Sequence, residues 1–342
     1  MTYSRLIVYL HEWHLTRSRA FHDLVIQPIK AFAEIETRQW QADFTPPDLM
    51  PGEAVVFCQW LPPEAWLNQH AARVTWLPMW DNQRLWRQRD WNALPKTLRV
   101  VAFSEAAAVR ARRAGLRTLR LQFFQDPALF PAATFERRTL LYWNRTGLLT
   151  EAFLRELCAV LRVDHLIFRD QIDPLLPQSA YFNLPDHIGS TTVEPLPVTH
   201  DRETYWAALK QTNIFIAPRA FEGAGSAFIE ALASGCVVFA HDAPTMNEYI
   251  THGVDGALFK YSIPSYSKRL LGKVRRRIRR VVAPGGVIAP DALDRLSMRQ
   301  DWDGLARLNL SVMGASARTR HAHGFARWRG AQDEYAQFVL ER

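Results

Sequence analysis

Short apolar runs alternate with amphipathic stretches along the chain. RLIVYL at 5–10, EAVVFCQW at 53–60, RVTWLP at 73–78 and LRVVAF at 98–103 read as buried strands, with a further one at 118–123. Runs without a polar face suit strands covered on both sides, and their alternation with helices predicts parallel pairing in an α/β fold. Residues 18–33 (SRAFHDLVIQPIKAFA) have helical spacing, complicated by Pro28, which has no N–H to donate. Ser104 stands where an N-cap belongs, Glu105 falls in the first turn, and the helix runs to about Ala114 before Gly115 ends it.

The segment 125–134 (QDPALFPAAT) is proline-punctuated and aperiodic, and it reads as a linker. After it the alternation restarts, with strands at 139–143, 164–168 and 214–217 and helices at about 150–162 and 202–212. The expected organisation is two α/β halves: residues 1–130, then 131–314, with a terminal helix at about 315–342 returning to the first half. Beyond Tyr261 the pattern turns polar and helical, and no internal repeat accompanies the architectural echo.

Composition narrows the partners. Of 342 residues 48% are hydrophobic, enough for two cores, and the net charge of +8 favours an anionic partner: a nucleotide diphosphate, an anionic lipid or a nucleic acid. No nucleic-acid-binding motif appears, and aromatics are not interleaved with the basic runs, so no nucleic acid is expected. Twelve tryptophans serve cores and sugar-stacking surfaces equally well. Three scattered cysteines, Cys58, Cys158 and Cys236, make neither a metal spacing nor a disulfide framework. No stretch reads as a signal peptide or a membrane span, so a cytoplasmic protein is expected. Residues 268–280 (KRLLGKVRRRIRR) contain no acid, and Leu271, Val274, Ile278 and Val281 fall at helical spacing. Such a basic amphipathic helix either lies on the anionic inner face of a membrane or packs its apolar stripe on the domain. Residues 107–120 add basic surface to the first half.

The chemistry gathers in FEGAGSAFIEALASGCVVFAHDAP, residues 221–244. A strand ends at Pro218, Arg219–Gly225 form a loop, and Ser226 opens a helix. Ligands of open parallel sheets bind outside the carboxyl ends of the strands. The helix start offers unpaired N–H groups and a positive dipole end for phosphate at Gly225, Ser226 and Ala227, and Gly223 and Gly225 let backbone approach a ligand. Glu230 lies roughly 6 Å into the helix from Ser226, at 1.5 Å per residue. Carboxylates accept two donors and suit diols, whereas they repel phosphate. Glu222 and Glu230 flanking a phosphate site therefore read as a nucleotide-sugar site.

FEGAGSAFIEALASGCVVFAHDAPTMNEYITHGVDGALF resembles the signature of bacterial retaining GT-B glycosyltransferases of the family 4-like type. The resemblance rests on Glu222, seven residues and Glu230, the block Glu230–Gly235, Pro244 with Glu248, and Gly253–Phe259. It implies two Rossmann-like domains facing across a cleft, with a C-terminal helix returning to the first, acceptor-binding domain. It implies further that Glu222 contacts the donor sugar, Glu230 the ribose, and backbone at Gly225–Ala227 the diphosphate. The implied activity is metal-independent, retaining transfer of a sugar from a nucleotide diphosphate to a glycan or lipid-linked glycan, as in cell-surface polysaccharide synthesis. The family often adds an Arg-plus-Lys pair for the phosphates. Here Arg145 is present but no lysine follows in its loop, and Arg219 and Arg169 sit at strand ends of the same sheet edge.

The first half departs from the common family form. Where a Gly-Gly turn usually follows the first strand, this chain has His11-Glu12-Trp13-His14. His14 is a candidate for proton transfer or acceptor orientation, and His11 for acceptor binding. Leu77–Asn82 is a second candidate, with Trp80 to stack on a sugar and Asp81 to accept from its hydroxyls. Two other readings stay open: a catalytically silent GT-B scaffold and a basic nucleic-acid-binding protein.

Overall fold

The computed structural model describes residues 3–16, 20–41, 44–146, 149, 151–171, 183–197, 202–262, 297–299 and 302–341. The basic stretch 268–280 lies outside the described residues.

The chain forms two compact units. Unit 1 comprises Met1–Asp126, Phe221–Ser226 and His321–Arg342, and unit 2 comprises Pro127–Ala220 and Ala227–Arg320. Unit 1 holds a six-stranded parallel sheet of β1 (Arg5–His11), β2 (Glu34–Trp40), β3 (Glu53–Cys58), β4 (Val74–Leu77), β5 (Arg99–Ala102) and β6 (Arg117–Arg120), in the order β2-β1-β3-β4-β5-β6. Strands β3, β4 and β5 are buried along their whole length, as a parallel sheet covered on both faces demands. The tryptophans resolve into core residues here: Trp76 and Trp91 are fully buried, with ring centroids 5.3 Å apart, and Trp86 packs on both. The helix Glu105–Arg113 starts as expected, with Ser104 Oγ accepting from Ala107 N at 3.3 Å. A cap of this kind is worth about 1 kcal/mol.

Strand β2 is not among the expected strands. Its sequence, EIETRQW, has no apolar run because it is an edge strand paired only with β1. Arg5 reaches across to it, placing Nη2 2.5 Å from Glu36 Oε2, and Arg38 binds the same carboxylate. The helical reading of 18–33 survives as a shorter segment, a π-helical turn at His22–Ile26 running into Gln27–Ile29.

Unit 2 holds an eight-stranded sheet. Its strands are β7 (Thr139–Asn144), β8 (His165–Asp170), β9 (His187–Ile188), β10 (Thr191–Pro195), β11 (Ile214–Ile216), β12 (Val237–His241), β13 (Gly256–Ser262) and β14 (Ser297–Arg299). The order is β14-β13-β12-β11-β7-β8-β10-β9, parallel except for the edge strands β9 and β14. Residues 253–259 of the quoted motif run into strand β13. The end of the linker is stitched to this sheet by buried Asn213, whose Nδ2 donates to Thr134 O at 2.5 Å and whose Oδ1 accepts from Thr139 N at 3.1 Å.

The chain ends in two helices, Leu310–Gly330 and Gln332–Leu340. The last docks on unit 1 as expected: Tyr3 N donates to Leu340 O at 2.8 Å, and the buried Arg99 donates Nη1 to Phe338 O at 3.2 Å. No described helix is long and apolar enough to cross a membrane.

Candidate functional site

In unit 2 the chain leaves β7 toward β8 on one side and leaves β11 toward β12 on the other. Divergence of this kind opens a crevice at the carboxyl ends of the two strands. The loops that follow β7 and β11 are joined there, with Thr146 Oγ1 donating to Pro218 O at 3.0 Å. The helix Ser226–Ser234 begins beyond the second loop. Its C-terminal end is held from the long helix, where Arg318 Nη1 donates to Ala233 O at 2.8 Å.

Glu230 lies one turn inside that helix and is only 6% exposed. Its Oε1 accepts from Arg202 Nη2 at 3.1 Å, and the Arg202 guanidinium lies 4.2 Å from the centre of the Trp206 ring. A buried carboxylate without such a partner would bear its full desolvation cost. The partner is drawn from a helix, Arg202–Lys210, for which sequence reasoning assigned no chemistry.

A second cluster sits at the ends of β7 and β8. Trp143 is the register partner of Arg169, and the Arg169 guanidinium lies 4.4 Å from the centre of the Trp143 ring. Arg145, two residues beyond Trp143, lies 4.6 Å from the same ring. The ring is fixed by its Nε1, which donates to Gln171 O at 3.1 Å, and by Tyr205, whose ring centroid is 5.9 Å away. Burial holds the Arg169 pKa below the usual arginine value, with the Arg145 charge acting the same way and Tyr205 against it. Burial also pushes the Tyr205 phenol well above its ordinary value, and the Glu230 charge adds to that. Sequence reasoning placed Arg145 and Arg169 on one sheet edge; Trp143 and Tyr205, which bring the arginines together, were missed.

His241, at the end of β12, is a further group that sequence reasoning passed over. Its Nδ1 lies 2.8 Å from Ala220 O. A carbonyl only accepts, so Nδ1 carries the proton and Nε2 is an acceptor in the neutral ring. Burial keeps its pKa below the usual histidine value. Arg219 is half-buried in the loop after β11.

The loop Phe221–Ser226 follows a strand of unit 2 in sequence but packs as part of unit 1. Arg84 lies 4.5 Å from the centre of the Phe221 ring. A Cβ on Gly223 would meet Met79 Cβ and Sδ at 2.9 Å and Asp81 Oδ1 at 3.1 Å. Only a glycine admits that approach. Two candidates from distant parts of the sequence, Asp81 and the Glu222 loop, are thereby brought together, and Glu222 is buried at 7% exposure. Gly225 adopts a left-handed φ of 73°, and Ser226 and Ala227 are half-buried at the helix start.

His11 ends β1 and is exposed, its Nδ1 accepting from Trp13 N at 3.2 Å. His14 falls on the short helix Glu12–Thr16 and meets the Phe21 ring edge-on at 4.5 Å. The role expected of Trp80 needs correction. It is 9% exposed, packs into the core and carries Arg110 over its ring at 5.1 Å, so it offers no open face for sugar stacking. Open aromatic surface at this edge comes instead from Trp60, 41% exposed and stacked on Trp40 at 5.6 Å. Among the described residues, no group of three or more His, Cys, Asp or Glu could hold a metal.

Residues 197–271 match the family model for glycosyl transferases group 1. That segment contains the glycine-rich loop, Glu230 and Arg202. The whole chain is similar in fold to a sucrose-phosphate synthase from Thermosynechococcus elongatus, with 14% identity, 98% of each chain covered and a TM-score of 0.52. A glycosyltransferase from Rickettsia africae ESF-5 is similar as well, with 11% identity over 99% of this chain and 100% of that one and a TM-score of 0.53. Two parallel-sheet α/β units with a C-terminal helical region match the GT-B glycosyltransferase fold. No curated protein sequence matches the chain.

Proposed function

We propose that this protein is a metal-independent retaining glycosyltransferase. It moves a sugar from a nucleotide-diphosphate donor to a hydroxyl of a glycan or lipid-linked glycan in cell-surface polysaccharide synthesis. The observation that carries this reading is the buried Glu230 carboxylate. It sits one turn inside a helix that opens after a glycine-rich loop, where the β7 and β11 connections diverge, within the segment that matches group 1 glycosyl transferases.

In this reading Glu230 accepts the ribose hydroxyls with its second oxygen while Arg202 holds the first. Glu222 accepts from hydroxyls of the donor sugar. Backbone at Gly223, Gly225, Ser226 and Ala227 approaches the diphosphate, with Arg145 and Arg219 adding charge-assisted donors. The departing diphosphate gathers negative charge as the glycosidic bond breaks, and fixed cations and N–H groups offset it without a metal. Asp81, His14 and His11 belong to the acceptor side in this reading, and Asp81 and His14 orient the attacking hydroxyl. The basic stretch 268–280 would hold the enzyme at an anionic inner-membrane surface, where a lipid-linked acceptor is found.

The test is calorimetric titration of nucleoside diphosphates and nucleotide sugars in the presence of a chelator, on the wild type and Glu230→Ala, followed by an acceptor screen. One nucleotide should bind and lose affinity in the variant, and one acceptor should be glycosylated with retained configuration. A wild type that binds no nucleotide would sink the assignment. Binding without turnover on any acceptor would favour a scaffold.

A further inference from the structure

The diphosphate of the proposed donor needs more than one cation, and the loop after β7 supplies a single arginine. We propose that Arg169 is a further cation of this site, beside Arg145 and Arg219, and that Trp143 is the ring that holds it with Arg145 as one two-pronged clamp for the diphosphate. This rests on the nucleotide-sugar reading and deepens it.

The geometry starts from sheet register. Trp143 and Arg169 are direct partners on neighbouring parallel strands, so their side chains leave the sheet on the same face. Arg145 lies one residue beyond the end of β7. The result is two guanidiniums within 4.4 and 4.6 Å of one ring centre, and that ring is itself pinned by the Nε1 bond to Gln171 O. Gathering two positive charges on one aromatic ring at the carboxyl edge of a parallel sheet is costly, because like charges repel and burial weakens their hydration. The ring quadrupole recovers part of that cost. A dianion recovers far more, since planar guanidiniums grip phosphate oxygens in pairs. The lowered pKa of Arg169 reflects the same desolvation. The register partners one residue further on, Asn144 and Asp170, are joined instead by a hydrogen bond of 2.8 Å from Nδ2 to Oδ1, which fixes the two strand ends side by side. Trp143 and Arg169 therefore stand on rigid sheet, and Arg145 lies in the loop just past it.

The experiment titrates three ligands that share one base, the nucleoside, its monophosphate and its diphosphate, into the wild type, Arg169→Gln, Arg169→Lys, Trp143→Leu and, as a reference, Glu230→Gln. Arg169→Gln should weaken the diphosphate about tenfold to a hundredfold. It should leave the bare nucleoside unchanged and make the salt dependence of diphosphate binding shallower. Trp143→Leu keeps both charges but loses their alignment, and it should narrow the same diphosphate-to-nucleoside ratio. Arg169→Lys keeps the charge without the planar fork and should fall between wild type and Arg169→Gln. Glu230→Gln should weaken all three ligands together. The proposal is overturned if Arg169→Gln lowers thermal stability while the diphosphate-to-nucleoside ratio stays at the wild-type value. It is equally overturned if Arg169→Gln weakens the nucleoside and the diphosphate alike. Failure of the wild type to bind any of the three would instead sink the underlying nucleotide reading.

Discussion

The two units share a parallel-sheet plan and differ at their carboxyl edges. In unit 2 that edge carries arginines, with Arg145, Arg169 and Arg202 each stacked on a tryptophan and one buried carboxylate, Glu230, among them. In unit 1 the edge carries His11, the Trp40–Trp60 stack, and Asp81 beside the Glu222 loop. One topology thus supports an edge of arginines and an edge of aromatic rings and hydrogen-bond acceptors. The scaffold fixes where a ligand can lie, and the residues just past each strand decide which ligand it is.

Four measurements test this contrast. The largest effect belongs to Glu230→Ala, which removes the acceptor and leaves Arg202 half-buried without its carboxylate. Nucleotide affinity should fall about a hundredfold by calorimetry. If Asp81→Asn weakened the nucleotide as much, the division of labour between the edges would be wrong.

Gly223→Ala comes next. The added methyl pushes the loop off Met79 and Asp81, so turnover should fall on the order of thirtyfold, as misplaced reacting groups do. Nucleotide affinity should fall as well, by a smaller factor, because the same loop approaches the diphosphate. Unchanged turnover and unchanged affinity would remove the loop from both edges.

Gly235→Ala should act on stability alone. Gly235 has a φ of +81°, and a Cβ there would meet Gly314 O at 3.1 Å and Arg318 Cβ at 3.2 Å. The expected cost is about 1–2 kcal/mol, read as a lower melting temperature with unchanged nucleotide affinity per folded molecule.

The smallest effect is a pH dependence. His241 is held neutral by burial, so its folded pKa lies below the unfolded value. The unfolded chain then binds the proton first as pH falls through about 6.5, and stability contributed by this group is full above that and declines below it. Melting temperature measured from neutral to mildly acidic pH should fall less steeply in His241→Gln than in the wild type. Identical slopes would remove His241 from the account.

Much of the fold is legible in the sequence, because β3, β4, β5 and β7 sit between layers and announce themselves as apolar runs. Strand β2 escapes because ion pairs with Arg5 and Arg38, not a buried face, cover its charged residues. The site divides in the same way. Glu222, Glu230 and the glycines lie within nine consecutive positions and can be read as one motif. The pairings Trp143–Arg169 and Arg202–Glu230 each span more than two dozen residues, and only strand register and helix docking create them. Trp80 shows the opposite failure, since a residue type suited to stacking on sugar was taken into the core.

The missing side chain at Gly223 has a consequence for how this chain can change over generations. The loop that bears Glu222 lies between two segments of unit 2 in the sequence but belongs to unit 1, fitted against its Met79 and Asp81. A recombinant that exchanged unit 1 at its sequence boundaries alone would leave residues 221–226 facing a surface they were not shaped for. Substitutions in such a lineage should therefore accumulate around a retained 79–81 and 221–226 pair, and a working chimera would have to carry both segments together.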